Sequence, residues 1–166
     1  MSVIKNLNFL YASIIIYALF IISWYMPFSY KIYDSSIFIK LDVFILFLLI
    51  QAFIILRFKL VLIGFSIGFL IDIDIESNLI GINSFLMPIL CYFLGFLKLN
   101  SSNWDLKIKI IYSMIILFML SIFKFLFYGW IISFFDIVSI IINSGLVLIV
   151  FLSINRFYYK GKLAEK

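Results

Sequence analysis

Apolar residues along this chain are gathered into six long runs, and polar residues are confined to the short segments between them. The runs cover about 9–26, 37–56, 60–72, 79–97, 108–130 and 134–154. Most of them approach the roughly 20 residues that a helix needs to cross a bilayer. The pattern predicts an all-α polytopic membrane protein, with about six transmembrane helices packed in one bundle.

The third run is the exception, because it has only 12 residues from Leu60 to Ile71. At about 1.5 Å per residue, a helix of this length spans roughly 18 Å, which is short for a hydrocarbon core of about 30 Å. Three alternatives remain open: either the helix extends backward through Arg57, or Asp72 is drawn below the membrane surface, or the segment is short and broken.

Composition supports the membrane interpretation. Of the 166 residues, 66% are hydrophobic, 20% are aromatic and only 13% are charged, and the mean hydropathy is +1.26. A soluble domain carries about 25% charged residues, and 21 phenylalanines are too many for one water-soluble core of this size. We therefore expect one integral membrane domain over residues 1–166.

The distribution of positive charge predicts the orientation. With the N-terminus inside the cell, ten of the 13 Lys and Arg residues fall on the cytoplasmic side, as the positive-inside rule requires. Those ten are Lys5, Arg57, Lys59, Lys98, Lys107, Lys109, Arg156, Lys160, Lys162 and Lys166. We predict that both termini are cytoplasmic, that residues 28–36 and 72–78 face outward, and that 98–107 face inward. The charge of +5 then reflects orientation, and no nucleic-acid partner is expected.

Residue usage argues against most catalytic chemistry. The chain has no histidine and a single cysteine, Cys91, inside an apolar run. The pattern around Ser66 matches G-x-S-x-G, but a nucleophile elbow needs a strand-to-helix turn and a histidine base. Asp72, Asp74 and Glu76 resemble a fragment of a calcium loop without its glycine and its distal glutamate. We expect no catalytic residue, no metal and no cofactor.

Three aspartates near the predicted outer helix ends allow two interpretations. Paired carboxylates can act as acid and base, whereas carboxylates at helix N-termini act as caps and complement the helix dipole. Capping is favoured for Asp42 and Asp136, and both interpretations stay open for Asp72. Lys124 is either a functional charge within the membrane or a side chain that reaches the outer surface. Asn143 and Ser144 are expected to bond between helices.

The most specific local pattern lies at the third and fourth runs. Gly64, Gly68 and Asp72 are spaced i, i+4 and i+8, so they share one face of a helix. Two glycines on one face allow another backbone to approach closely, as in small-xxx-small contacts within bilayers. The fourth run opens with Gly81 and contains Pro88, which should bend the helix or free a carbonyl.

This central stretch resembles the bacterial rod shape-determining MreD family. The resemblance is carried by Gly64-x3-Gly68-x3-Asp72, a short loop, and then the sequence from Leu79 to Phe85. The family pattern has a leucine directly before the glycine that opens the next span, whereas here Ile80 separates Leu79 from Gly81, and the loop is more acidic. The candidate partner-binding or structural residues are Gly64, Gly68, Asp72, Gly81, Asn83 and Pro88.

The resemblance implies a non-enzymatic inner-membrane scaffold of the cell-elongation complex. Such a protein binds MreC, influences the glycosyltransferase and transpeptidase of lateral peptidoglycan synthesis, is linked indirectly to the MreB cytoskeleton, and contacts membrane lipids. It also implies a bundle similar to the substrate-binding subunits of energy-coupling-factor transporters, so vitamin capture is the first alternative. The second alternative is an intramembrane aspartic peptidase, although the flanking Asn and Arg expected for one are missing. For Asp72 we expect one of three partners: a cation on MreC, an amide at the start of the next helix, or Lys124.

Overall fold

The chain is predominantly helical, as the apolar runs predict. The computed structural model describes residues 14, 18, 21, 29–31, 38–74, 81–127 and 133–157. Its elements, in chain order, are β1 (Ser29–Lys31), β2 (Phe38–Lys40), α1 (Val43–Ile54), α2 (Arg57–Asp74), α3 (Ile82–Leu94), α4 (Phe96–Leu99), α5 (Leu106–Phe127) and α6 (Phe134–Phe157). The predicted span 9–26 lies outside the described residues except at positions 14, 18 and 21, which are helical.

Three helical stretches of the described chain are long and apolar enough to cross a membrane. They are Ile82–Leu99, Leu106–Phe127 and Phe134–Arg156, and they match the predicted runs 79–97, 108–130 and 134–154 within a few residues. These helices indicate a membrane protein.

The predicted helix over 37–56 is wrong at its beginning. Phe38–Lys40 forms β2, which pairs antiparallel with β1, so that Lys40 lies opposite Ser29. This hairpin also places β1 inside the segment predicted to be a loop, 28–36. Helix α1 begins only after Asp42, whose Oδ1 accepts a hydrogen bond from the amide of Ile45 at 3.1 Å. The helix is therefore 12 residues long.

Helix α2 settles how the short third run is completed. It has 18 residues and extends backward through Arg57, which was one of the three alternatives. The Arg57 guanidinium lies over the rings of Tyr92 and Phe96, at 4.5 and 5.1 Å from their centroids. The aliphatic part of the same side chain packs on Gly95. The cation is thus held between aromatic faces, an attractive cation–π arrangement that fastens the start of α2 to the end of α3.

Contacts between helices fix their relative directions. Helices α2 and α3 are antiparallel, because Gly64 lies against Cys91 while Gly68 lies against Asn83. Helix α5 is antiparallel to α3, since the Tyr112 hydroxyl donates to the Phe93 carbonyl at 3.0 Å near one end. Near the other end of this pair, the rings of Phe85 and Phe127 meet with centroids 6.3 Å apart.

Helix α6 runs in the same direction as α1. The rings of Phe53 and Phe151 stack with centroids 5.1 Å apart, and Asp42 shares a cavity with Asn143. Strand β2 also packs against α6. Four helix ends therefore lie at the same end of the bundle, here called the carboxylate end, and they carry Asp42, Asp72, Lys124 and Asp136. At the opposite end, here called the basic end, lie Arg57, Lys98, Lys107, Lys109 and Arg156.

The core lies around α1 and the contact between α2 and α3. Leu48, Leu49 and Ala52 of α1 are fully buried, as are Ile67 and Met87. Large apolar side chains nevertheless cover the outside of the bundle. One helical face of α2 alone exposes Phe58, Leu62, Phe65, Phe69 and Ile73. Soluble monomers rarely expose a contiguous patch of large apolar side chains, so this face is suited to contact with lipid hydrocarbon.

Cysteine labelling tests the orientation of the bundle. Ser77→Cys should react with a membrane-impermeant maleimide added outside intact cells or spheroplasts, whereas Ser101→Cys should react only after permeabilisation, because the cations at the basic end favour the cytoplasm. The native Cys91 is fully buried and gives little background. If both positions label from the same side of the membrane, the six-span arrangement is wrong.

Candidate functional site

The two glycines of α2 bring its backbone against α3. A Cβ atom added to Gly68 would collide with the Asn83 carbonyl oxygen and would lie 2.7 Å from the Asn83 carbonyl carbon and 2.9 Å from the Ser84 Cα. A Cβ atom added to Gly64 would collide with the Cys91 Sγ and would lie 3.0 Å from the Met87 carbonyl oxygen. Both positions therefore favour glycine, and at Gly68 the space beside it is occupied by backbone, which cannot rotate away as a flexible side chain can.

Asp72 continues the same face and binds the start of α3 with both carboxylate oxygens. Its Oδ1 accepts hydrogen bonds from the Asn83 backbone amide and from Asn83 Nδ2, each at 3.0 Å. Its Oδ2 accepts from the Ser84 amide at 2.7 Å and from the Ser84 hydroxyl at 2.5 Å. Asp72 is only 4% exposed. We call this arrangement of four donors on one carboxylate the Asp72 clamp.

The local sequence explains why α3 needs a cap from another helix. Gly81 occupies the N-cap position with φ of 108°, a left-handed conformation that favours glycine, and it has no side chain with which to cap. An N-cap side chain normally accepts from the second or third amide of its helix. Asp72 accepts from both of these amides, those of Asn83 and Ser84, and places its charge at the positive end of the helix dipole.

Asn83 is held within the clamp, and one of its polar atoms stays unpaired. Its Nδ2 group must face the carboxylate, so its Oδ1 is fixed on the other side of the amide. That oxygen is buried and has no hydrogen-bond partner among the described residues. Because an unpaired buried acceptor is costly, Asn83 contributes to the position of α3 at some expense in stability.

Pro88 lies inside α3, one turn beyond the clamp, and the helix continues through it to Leu94. A proline has no N–H for the carbonyl four residues earlier, which here is that of Ser84. All four groups that donate to Asp72 belong to Asn83 and Ser84, so Pro88 is not a member of the clamp. Of the six candidate residues, the structure places Gly64, Gly68, Asp72 and Asn83 at the contact of α2 with α3, whereas Gly81 opens α3 and Pro88 lies within it.

The other two aspartates cap different helices, which confirms the favoured interpretation for them. Asp42 caps α1. Asp136 accepts from the Ser133 amide at 2.9 Å and from the Ser133 hydroxyl at 2.6 Å, both through Oδ2, while the Asp136 amide donates back to Ser133 Oγ. This is a capping box at the start of α6. Within the described residues, the three carboxylates thus serve α1, α3 and α6 separately, with no hydrogen bond in common.

The remaining candidate chemistry finds no site. Ser66 lies in the interior of α2 and donates to the Leu62 carbonyl at 3.0 Å, so it is not on a nucleophile elbow. Asp74 ends α2, and Glu76 lies outside the described residues. In the part of the chain that the structure describes, no group of three His, Cys, Asp or Glu residues is placed to hold a metal ion.

A cavity of about 120 Å³, lined by both polar and apolar side chains, lies between α1, α5 and α6 near the carboxylate end. Its walls are formed by Asp42, Ile45, Leu117, Leu120, Ser121, Lys124, Asn143, Ser144 and Val147. The Ser144 hydroxyl donates within its own helix, to the Ile141 carbonyl at 3.0 Å, and so differs from the bond between helices expected for it.

Sequence reasoning missed the role of Ser84, which supplies two of the four donors of the clamp. The available signal was its position, directly after Asn83 and three residues after a glycine that opens a helix. It also missed the cavity, because its polar residues come from three segments that are far apart in sequence.

Fold and site together define a membrane-type helical bundle organised around a tightly packed pair, α2 and α3, in which the first helix caps the second. Comparison of the chain with family models, with curated proteins and with solved structures finds no match. Function therefore has to be argued from the residues themselves.

Proposed function

We propose that this protein is a multi-pass inner-membrane scaffold of the bacterial cell-elongation complex, of the MreD type, with six spans and both termini in the cytoplasm. Its role is to bind MreC and thereby influence the glycosyltransferase and transpeptidase that build the lateral wall. The resemblance of the central stretch motivates the proposal. Most of the described cations lie at the basic end and most of the described carboxylates at the other end, which supports the orientation.

The Asp72 clamp is the observation that carries the proposal. The motif responsible for the resemblance, Gly64-x3-Gly68-x3-Asp72, has all three of its residues in contact with α3. These contacts join α2 and α3 in a rigid helical hairpin and leave no reactive group at the motif. Such an arrangement suits a scaffold better than an enzyme. Of the three partners expected for Asp72, the amides at the start of the next helix are the ones it binds.

The contact with MreC then has to lie elsewhere. Asp72 is enclosed and its two oxygens already receive four donors, so a cation from a partner has no approach to it. The surfaces that a membrane-spanning partner helix can reach are the outward faces, such as the α2 face that includes Phe65 and Phe69. The role of the clamp is to hold these faces in a fixed arrangement.

Co-purification from the native organism tests the proposal. A tagged chromosomal copy should retain MreC in mild detergent, and depletion of the protein should convert rods to round cells. Gly145→Ala, whose added Cβ meets no atom within 4 Å, should retain MreC as the wild type does. Gly68→Leu should lose it, because α3 has to move away from α2 and the outward faces then change position. Rods that keep their shape on depletion, together with no MreC in the purified sample, would exclude the scaffold role.

The two alternatives receive less support from the described residues. Among the described residues, the cavity between α1, α5 and α6 has about 120 Å³ and an open pocket beside Gly81, Phe85 and Phe127 has about 270 Å³. Both are smaller than the ~300–1,000 Å³ of typical small-molecule pockets, which argues against capture of a vitamin. An aspartic peptidase needs two carboxylates at one place, whereas Asp42, Asp72 and Asp136 each cap a different helix. Uptake of labelled vitamins and cleavage of membrane peptides are the assays that would revive either alternative.

A further inference from the structure

Arg57, at the start of α2, is a cation whose hydrogen-bonding capacity is not used by the described residues. Its guanidinium lies over the rings of Tyr92 and Phe96, which are nearly perpendicular, with an angle of 87° between their planes. A guanidinium has five N–H donors and no acceptor. No carboxylate, carbonyl or hydroxyl group of the described residues accepts a hydrogen bond from Arg57. These donors are therefore available to a bound anion.

Packing fixes the position of this guanidinium. The stem of Arg57 lies so close to Gly95 that a Cβ atom added to the glycine would be 2.8 Å from the Arg57 Cβ and 3.0 Å from its Cδ. Arg57 is half-buried, and the two aromatic rings bound its guanidinium on two sides. The planar fork of an arginine matches a phosphate with two parallel hydrogen bonds. Because this arginine is already held in place, it loses little conformational freedom when it binds.

A second cation, Lys98, lies close to the same place. It follows Gly95 by three residues in the helical stretch Ile82–Leu99, so it lies one turn further along the face on which Arg57 packs. Among the described residues, Asp105 is the one carboxylate at the basic end, and it forms no ion pair with Arg57 or Lys98. Two positive charges without a carboxylate favour an occupant with net negative charge. They would repel the ammonium group of a zwitterion.

The side chains next to these two cations are apolar and exposed. Leu56 and Phe58, on either side of Arg57 in the chain, are 63% and 75% exposed, and Leu99, beside Lys98, is 55% exposed. Arg57 begins one apolar helix and Lys98 lies near the end of its antiparallel neighbour, which is where hydrocarbon meets headgroups. An occupant that covers both kinds of group has a negative charge attached to hydrocarbon chains. Basic pockets between spanning helices bind lipid headgroups in this way.

We propose that Arg57 and Lys98 bind the phosphate of an anionic phospholipid, such as phosphatidylglycerol, in the leaflet at the basic end of the bundle. The guanidinium donates two N–H groups to the phosphate oxygens, and the Lys98 ammonium adds the second positive charge. The acyl chains lie against the exposed apolar side chains beside the two cations. This proposal does not depend on the identity of the protein partner.

Native mass spectrometry of the purified full chain tests the site. In titrations with phosphatidylglycerol and phosphatidylethanolamine of equal acyl composition, the wild type should bind phosphatidylglycerol at least several-fold more tightly. Lys98→Gln and Arg57→Lys should each reduce this preference several-fold, the second because lysine keeps the charge but lacks the planar fork. Lys107→Gln is the matched control. It removes an exposed cation of α5 at the same end of the bundle and should keep the preference of the wild type.

Lys98→Gln leaves the packing of Arg57 on Gly95 in place, so its thermal unfolding in lipid-free detergent should match that of the wild type. Equal binding of the two lipids by the wild type would overturn the proposal, and so would a full preference in both Lys98→Gln and Arg57→Lys. An equal loss in Lys107→Gln and Lys98→Gln would show that net charge alone decides. Displacement of the lipid by soluble glycerol phosphate at the same concentration would overturn the assignment to a lipid, because the acyl chains would then contribute nothing.

Discussion

Replacement of Gly68 by leucine should destabilise the protein strongly. Even the first added carbon collides with the backbone of Asn83, and the rest of a leucine has no space unless α3 moves away. Overpacking costs about 1–3 kcal/mol when neighbouring groups can adjust. At this position backbone atoms of a capped helix must move, so we expect the upper part of that range. The measurement is thermal unfolding in detergent.

Alanine substitutions give this experiment its internal control. In an open helical position, glycine to alanine stabilises by up to about 1 kcal/mol through helix propensity. Gly145 is such a position, since no atom lies within 4 Å of an added Cβ. We expect Gly145→Ala to be neutral or stabilising and Gly68→Ala to be destabilising. Equal midpoints for these two variants would contradict the close packing of α2 on α3.

Replacement of Asp72 by asparagine should also destabilise the protein, although the two side chains have nearly the same shape. Asparagine has one acceptor oxygen, and its NH2 group would face two of the four donors that now meet the carboxylate. Unpaired buried donors cost about 1–3 kcal/mol. The sequence alone predicts that asparagine preserves a capping role. The bidentate geometry shows that it would not.

Asp136→Asn is the matched control for this prediction. Both of the bonds that Asp136 accepts from Ser133 reach Oδ2, so the single carbonyl oxygen of asparagine can replace it, and the site is at the surface. We expect little change there. Under the proposed role as an MreC-binding scaffold, retention of MreC should fall together with stability in Asp72→Asn, because the Asp72 clamp is internal. A loss of MreC at unchanged stability would show instead that Asp72 contacts the partner.

Hydrophobic periodicity predicts the helices well where the apolar runs are long. The runs over 108–130 and 134–154 correspond to α5 and α6 with shifts of only a few residues at the described ends. The prediction for 37–56 is wrong at its start, because short apolar segments do not distinguish strand from helix by hydrophobicity alone. The pairing of that start with β1 depends on a second segment, whereas the cap formed by Asp42 is readable from its position before the apolar residues of α1.

The candidate site is only partly predictable for a related reason. Spacing alone places Gly64, Gly68 and Asp72 on one face, and that is a local property of one helix. The donors to Asp72 lie 11 and 12 residues away, across a segment that must reverse the chain. A glycine has no side chain with which to cap, but the sequence does not show that Gly81 is the N-cap residue of α3. Its conformation in the structure shows this. The clamp therefore emerges from tertiary packing.

The clamp has a consequence for how the chain enters the membrane. Helix α2 is not among the three helices of the described chain that are apolar enough to span alone, and it carries Arg57, Lys59, Asp72 and Asp74 near its ends. During synthesis, Asp72 stays without its donors until residues 83 and 84 have left the ribosome. Aspartate disfavours insertion of a spanning helix, by about 2.5–3.5 kcal/mol at the helix centre and by less near an end such as the one that Asp72 occupies. Helices α2 and α3 are thus expected to leave the translocon together, as a hairpin whose second helix completes the insertion of the first.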